Sequence, residues 1–167
     1  MVINDDGIKK ITSDIKICLE SIGLSIAAKE EGDEHLTLYS EIEGSAYTMQ
    51  LQVTFFSIVE IILLSVTFSV TVPPKSMEVL CELANLVNKS MLTDYVTVCP
   101  DSGEIMLHSS IPVTDNSLDK EQFEVSLSRI LVNGSFGFRL LCSQVYSELS
   151  PQEHFRKFMA ENTDLYS

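Results

Sequence analysis

The feature that most constrains the fold is an alternating segment at residues 62–72, which is followed by two prolines and then by a helical pattern. Its even positions carry Ile, Leu, Val or Phe, and its odd positions from 65 onward carry Ser or Thr. This period of two is typical of a strand with one buried face. Pro73 and Pro74 lack the N–H that a strand ladder needs, so they end the strand and suit the start of a helix.

The segment after the prolines has apolar residues three and four positions apart, which predicts a helix that packs on the buried face of the strand. The same two periods predict the other elements. Helices are expected at residues 8–22, 77–91 and 123–145 and from residue 151, and strands at residues 24–28, 36–42, 47–55, 62–72, 95–98 and 104–113. Gly134 and Gly137 lie inside the long third helix. Its apolar phase continues through them, which favours close approach of another backbone over a break in the helix.

These elements predict an α+β fold with a mainly antiparallel sheet and helices packed on one face, in the order α-β-β-β-β-α-β-β-α-α. The strands are expected to be antiparallel because most of their connections are too short for a crossover. The chain has 167 residues and no internal repeat. We therefore expect a single domain over residues 1–167, with residues 149–167 as a C-terminal helical tail.

Net charge limits the partners that this chain can attract. The formal charge is −13, from 24 acidic and 11 basic residues, and such a field repels nucleic acids and anionic lipid surfaces. Residues 1–6 lack the pattern of a secretory signal, which predicts a cytoplasmic protein. Residues 53–72 are long enough to span a membrane, but Glu60 and the alternating Ser and Thr favour strands, so no span is expected.

Residues 56–64 give the strongest indication of an interaction surface. Both faces of a strand would be apolar here, and Phe56, Ile61 and Leu63 are the residues expected to contact a protein partner or a second copy in a homodimer. The alternative is cover by the C-terminal region of the same chain. Phe155 and Phe158, on one side of the last helix, are also predicted interface residues, and the groove that they require belongs to this subunit, a second copy or another protein.

Motifs of catalysis, cofactor binding or metal binding are missing, so neither a cofactor nor a metal is expected. Cys18, Cys81, Cys99 and Cys142 have no ligand spacing and are predicted to be structural. Residues 30–34 are read as a solvated hairpin tip instead of a calcium loop. Asn85 and Asn88 interrupt a helix and are predicted to hydrogen-bond a nearby loop or strand edge, with ligand binding as the alternative.

Two other functions remain open from sequence. A small hydrolase-like enzyme would use His108 with Ser109, Ser110 or Cys99, although no local signature supports it. The other histidines, His35 and His154, are distant in sequence. A carrier would hold a hydrophobic small molecule between sheet and helices.

Over residues 8–148 the chain resembles the YbjN-like family, whose fold is similar to that of type III secretion chaperones. The resemblance is carried by SVTVPP at residues 69–74, LANLVN at 83–88, GEIML at 103–107 and DKEQF at 119–123. It implies a non-enzymatic regulator or chaperone-like module that binds protein through apolar surface, with the secretion chaperones being acidic homodimers. Family members often carry basic residues where this chain has His108, Ser109 and Ser110.

Overall fold

A computed structural model describes residues 5–32, 35–43, 48–91, 93–115 and 117–162. The helices are α1 (Asp5–Ser21), α2 (Met77–Ser90), α3 (Lys120–Gln144) and α4 (Pro151–Glu161), with a short 3-10 helix (Pro74–Ser76) before α2. The strands are β1 (Ala28–Glu31), β2 (His35–Glu43), β3 (Thr48–Phe56), β4 (Ile61–Thr71), β5 (Asp94–Val98) and β6 (Glu104–Pro112). The predicted fold class and order of elements are confirmed.

The six strands form one antiparallel sheet in the order β1-β2-β3-β4-β6-β5. The first four strands form a meander of neighbouring hairpins. The chain then leaves β4 through Pro73 and Pro74, crosses as α2 and returns at the far edge as β5. Strand β6 fills the gap between β5 and β4, so the strand predicted to organise the fold is paired on both sides.

The even-numbered side chains of β4 make up the centre of the core and define the inner face of the sheet. Ile62, Leu64, Val66 and Phe68 are all buried, and the ring of Phe68 stacks on Phe138 of α3 with centroids 4.4 Å apart. All four helices contribute side chains to the same apolar cluster as the sheet. The strand and the helix after the prolines therefore pack as their sequence periods predict.

Helix α3 runs unbroken past its glycines, which confirms the prediction from its apolar phase. A Cβ atom added to Gly134 would lie 3.3 Å from Cζ of Phe68 and 3.6 Å from Cδ2 of Leu107. The close neighbour is thus a phenylalanine ring on β4, not another backbone as expected. Glycine at this position lets the middle of α3 lie directly on the inner face.

Two further parts of the sequence interpretation are wrong. The strand expected at residues 24–28 begins only at Ala28, because Leu24 and Ile26 follow the helix end at Gly23 as an irregular segment packed against the core. The apolar run at residues 56–64 is not one continuous strand. Residues 57–60 form a four-residue turn, and Phe56 pairs with Ile61 across the hairpin that the turn closes. Tyr47, expected at the start of β3, lies outside the described residues.

Candidate functional site

The sheet has a second face on the side away from the helices, which we call the outer face. Strand pairing aligns its side chains in rows across the strands. Four rows follow one another away from the β3–β4 hairpin: His35, Phe56, Ile61 and Pro112; Thr37, Thr54, Leu63 and Ser110; Tyr39, Gln52, Ser65, His108 and Tyr95; and Glu41, Gln50, Thr67, Met106 and Thr97.

The hairpin end of the outer face is apolar. Phe56 is 36% exposed, and Ile61 and Leu63 are half-buried beside it. Register places Phe56 opposite Ile61, and Ile61 opposite Pro112 on β6, so these side chains form one patch across three strands. We call Phe56, Ile61 and Pro112, together with Leu63 from the next row, the apolar row. The three residues predicted from sequence as an interface thus lie together.

The C-terminal region does not cover the apolar row, as far as the structure describes it. Helix α4 packs against α2 and α3 in the helical layer. Phe158 meets Phe136 of α3 edge to face with centroids 5.1 Å apart, and Phe155 is half-buried against the core. The groove that these two phenylalanines fill belongs to the same chain. The end of the predicted tail, residues 163–167, lies outside the described residues.

The centre of the outer face is polar and internally hydrogen-bonded. The hydroxyls of Thr37 and Thr54 are 3.1 Å apart, and both residues are buried between larger neighbours. Beside them, His108 has its Nδ1 atom 2.9 Å from the Ser65 hydroxyl and its Nε2 atom 3.0 Å from the Thr97 hydroxyl. The ring of Tyr95, which is 44% exposed, stacks on the imidazole at 4.8 Å. This arrangement holds His108 in place.

His108 lacks the partners that the hydrolase hypothesis requires. Ser109 points to the inner face, where Nη2 of Arg129 donates to its hydroxyl at 3.2 Å. Ser110 lies in the row nearer the hairpin, and Cys99 lies in the β5–β6 turn. Burial lowers the pKa of His108, which keeps its imidazole neutral at pH 7. Both ring nitrogens contact hydroxyls, and among the described residues neither contacts a carboxylate of the kind that orients a catalytic histidine.

The four cysteines form no disulfide, since all of them are free. Burial raises the pKa of Cys18 and Cys142. A hydrogen bond from the Ser102 side chain, together with the backbone N–H groups of Ser102 and Asp101, lowers the pKa of Cys99. Within the described ranges, no three His, Cys, Asp or Glu side chains are grouped to hold a metal ion.

An amide side chain satisfies the backbone at one edge of the sheet. Asn88 on α2 accepts from the N–H of Val96 at 2.6 Å and donates to its carbonyl at 2.9 Å. The prediction that an asparagine of this helix bonds a strand edge is confirmed for Asn88, whereas Asn85 is exposed. The opposite edge is β1, which is short, exposed and charged. Both edges therefore discourage pairing with another strand.

A buried ion pair anchors β5 to α3. The Asp94 side chain is 1% exposed and accepts from Arg129 through both oxygens at 3.1–3.2 Å and from Asn133 at 2.8 Å. Burial alone would raise the pKa of Asp94, but hydrogen bonds from Arg129, Ser109 and Asn133 outweigh it and lower that pKa. No sequence pattern indicated this contact, because Arg129 and Asn133 lie 35 and 39 residues from Asp94.

Among the described helices, none is both long enough and apolar enough to cross a membrane. Residues 53–72, the segment whose length would permit a span, are the end of β3, the turn and β4.

Fold and surface together define a class of protein: an antiparallel sheet with helices on one face and a patterned surface on the other. The family model of YbjN, described as "Putative bacterial sensory transduction regulator", matches residues 14–135. Because that match spans more than half of the sequence, the chain belongs to the YbjN family. The resemblance inferred from the sequence motifs is thereby confirmed.

Two of the solved structures that are similar to this chain show the extent of the likeness. One is the crystal structure of YbjN, "a putative transcription regulator from E. coli", at 15% identity and a TM-score of 0.53, covering 81% of this chain and 92% of that one. The other is an uncharacterized protein from Methanothermobacter thermautotrophicus at 10% identity and a TM-score of 0.54, covering 80% and 98%. At these identities the likeness establishes the fold alone. No curated protein matches the sequence.

Proposed function

We propose that this chain is a non-enzymatic regulatory protein that acts by binding another polypeptide over the outer face of its sheet. The observation that carries the proposal is the apolar row, which stands exposed or half-exposed on the face opposite the helices. The description of the family as a regulator supports a role without catalysis. We expect the protein to act in the cytoplasm, in a chaperone-like or sensory pathway.

Burial of the apolar row supplies part of the energy of a reversible contact. Full burial of a Phe, Ile or Leu side chain contributes about 1.5–3 kcal/mol. Phe56, Ile61 and Leu63 are already partly covered, so completing their burial is worth roughly 3 kcal/mol together. That amount supports a regulated contact when polar groups around the row add to it.

The rivals lack comparable support. A hydrolase requires a nucleophile and an orienting acid at His108, and the nearest hydroxyls belong to Ser65 and Thr97. A carrier would require space between sheet and helices. At the centre of the core, Phe68 and Phe138 stack face to face. One groove of about 420 Å³ does lie between α3 and the ends of β2 and β3, lined by Ile42, Met49, Leu131, Val132, Ser135, Phe136 and Arg139, and it is the feature that would support a carrier.

The test places glutamates in the apolar row. In Ile61→Glu/Leu63→Glu, a partner must desolvate two carboxylates, so we expect binding to weaken about 100-fold. The matched control is Ile17→Glu/Val125→Glu, which changes two exposed apolar residues of the helical layer. A photo-reactive amino acid at position 56, introduced in the native host, reports contact by a covalent adduct, and light scattering reports the assembly state.

We expect an adduct with a polypeptide at position 56 that the row variant loses and the control keeps. The homodimer that the family resemblance implies is tested in the same preparations, because an adduct of twice the chain mass identifies a second copy. An adduct and an assembly state that are both unchanged in Ile61→Glu/Leu63→Glu would remove the apolar row from the function.

A further inference from the structure

Positive charge is segregated to one side of this molecule. The chain has 11 lysines and arginines, and all of them lie in residues that the structure describes. Ten belong to helices: Lys9, Lys10, Lys16, Lys75, Lys89, Lys120, Arg129, Arg139, Arg156 and Lys157. The remaining one, Lys29 on β1, precedes the outer-face residue Glu30 and so points to the opposite face of the sheet. Its Nζ atom lies 2.7 Å from the Glu31 carboxylate. No lysine or arginine therefore projects from the outer face.

Carboxylates do project from that face. Glu30 aligns with Thr37, Glu41 with Gln50 and Glu43 with Thr48. Glu104 lies two residues before the outer-face residue Met106 on β6, so it is on the same face. All four glutamates are exposed. Glu41 and Glu43 lie at the end of the sheet away from the apolar row. In the part of the chain with described side chains, no cation pairs with any of the four.

The polarity of the outer face thus changes steadily along its strands. Its rows change from apolar at the hairpin, through the hydroxyl and imidazole centre, to acidic at Glu41 and beyond. Phe56 and Gln50, the neighbour of Glu41, are six positions apart on β3. At about 3.3 Å per residue, the distance between them is about 20 Å. Tyr39 and Tyr95 flank the middle of this path. The hydroxyl of Tyr39 donates to Glu30 at 3.0 Å, and the ring of Tyr95, which is 44% exposed and has one face on His108, has its other face for a guanidinium or ammonium group.

Resting on the function proposed above, we infer that the partner of the outer face is a cationic amphipathic peptide segment. Its apolar side chains cover the apolar row, and its Lys or Arg side chains meet Glu41 and Glu43 about 20 Å away. A second copy fits this face poorly, since two copies would oppose eight exposed carboxylates, four from each chain, with no facing cation. Nucleic acid is repelled by the same charges.

The test uses the full chain and two synthetic peptides of about 14 residues, which as a helix spans about 20 Å. One carries Leu and Phe on its first turn and Lys on the remainder, and the other has Glu at every Lys position. Fluorescence anisotropy measures the Kd of each at about 0.15 M salt, where charges more than about 8 Å apart are largely screened. The charge variant is Glu41→Lys/Glu43→Lys. Its control is Glu20→Lys/Glu148→Lys, which makes the same change in net charge on exposed residues outside the sheet.

We expect the wild-type chain to bind the Lys peptide and not the Glu peptide, and Glu41→Lys/Glu43→Lys to weaken binding about tenfold. The control should change the Kd less than twofold. Equal affinity for both peptides, no affinity for the Lys peptide, or equal effects of variant and control would each overturn the cationic partner. So would a dimer that Ile61→Glu/Leu63→Glu dissociates, because the face would then belong to a second copy. Loss of binding in Ile61→Glu/Leu63→Glu without charge selectivity would keep the proposed function and reject only the cationic partner.

Discussion

Replacing Arg129 by methionine should destabilise the protein strongly, because it leaves the Asp94 carboxylate buried without its cation. Asp94 is 1% exposed and receives three hydrogen bonds from Arg129. Breaking a buried pair in this way costs about 3–5 kcal/mol. Asn133 and Ser109 still donate to the carboxylate, and Arg129 is itself partly exposed, so we expect the lower end, about 3 kcal/mol at pH 7.

The loss should depend on pH in a defined direction. In the wild-type chain the pKa of Asp94 is lowered, so its contribution to stability is present above the ordinary carboxyl pKa and is lost as the pH falls through the folded-state pKa. Without the hydrogen bonds and charge of Arg129, burial is opposed only by Ser109 and Asn133, so the pKa of Asp94 rises relative to the wild type and the carboxyl takes up a proton at a higher pH. The difference between variant and wild type should therefore shrink between pH 7 and about pH 4.5.

Urea unfolding followed by far-ultraviolet circular dichroism measures this difference, since the chain has no tryptophan. The control is Arg139→Met on the same helix, where the side chain is exposed and the change should stay within about 0.5 kcal/mol. A loss of about 3 kcal/mol corresponds to a drop in Tm of roughly 6–12 °C for a chain of this size. An Arg129→Met loss within 1 kcal/mol of the control at pH 7, or one that does not shrink at pH 4.5, would refute the reasoning.

Two further pairs of variants test the packing. Gly134→Leu should lower the free energy of unfolding by about 1–3 kcal/mol, because it forces a side chain into Phe68. Gly137→Ala should raise it by up to about 1 kcal/mol through helix propensity, because the added Cβ would have an ordinary contact at 3.5 Å. Equal effects of the two variants in urea unfolding would contradict the close approach of α3. Asn88→Ala should cost about 1–3 kcal/mol by leaving the backbone of the edge strand unpaired, while Asn85→Ala on the exposed side should be nearly neutral. Amide hydrogen exchange should be faster in β5 only for Asn88→Ala, and unchanged exchange there would reject the role of that amide.

The fold was predictable because its local signals agree with its packing. The alternating sequence of β4, the two prolines and the apolar stripe of α2 each predict the type or the end of one element. The short connections between the elements then allow few topologies. The helices expected to end at residue 22 and to start at residue 151 do so within one residue, the first followed by Gly23 with positive φ and the second begun by a capping box at Ser150. Residues 57–60 escaped prediction because Ile58 and Val59 are apolar yet exposed in a turn, and only Ser57 and Glu60 marked its ends.

The candidate site was only partly visible in the sequence. Phe56, Ile61 and Leu63 were found as an apolar run, although the hairpin that brings Phe56 beside Ile61 was not. The contacts of His108 with Ser65 and Thr97 join residues 43 and 11 positions apart, so sequence spacing gave no indication of them. The charge segregation was hidden for the same reason, because it depends on which face each strand residue occupies.

The most direct test of the central claim is hydroxyl-radical footprinting of this protein inside its native host and after purification. Phe56, Tyr95 and Met106 report on the outer face, and Tyr146, which is 90% exposed after α3, reports on the helical side. If a polypeptide partner covers the outer face, the first three side chains will be oxidised less in cells than in the purified chain, while Tyr146 will react equally in both. Equal oxidation of all four in both preparations would contradict the claim that this protein works by presenting its outer face to a partner.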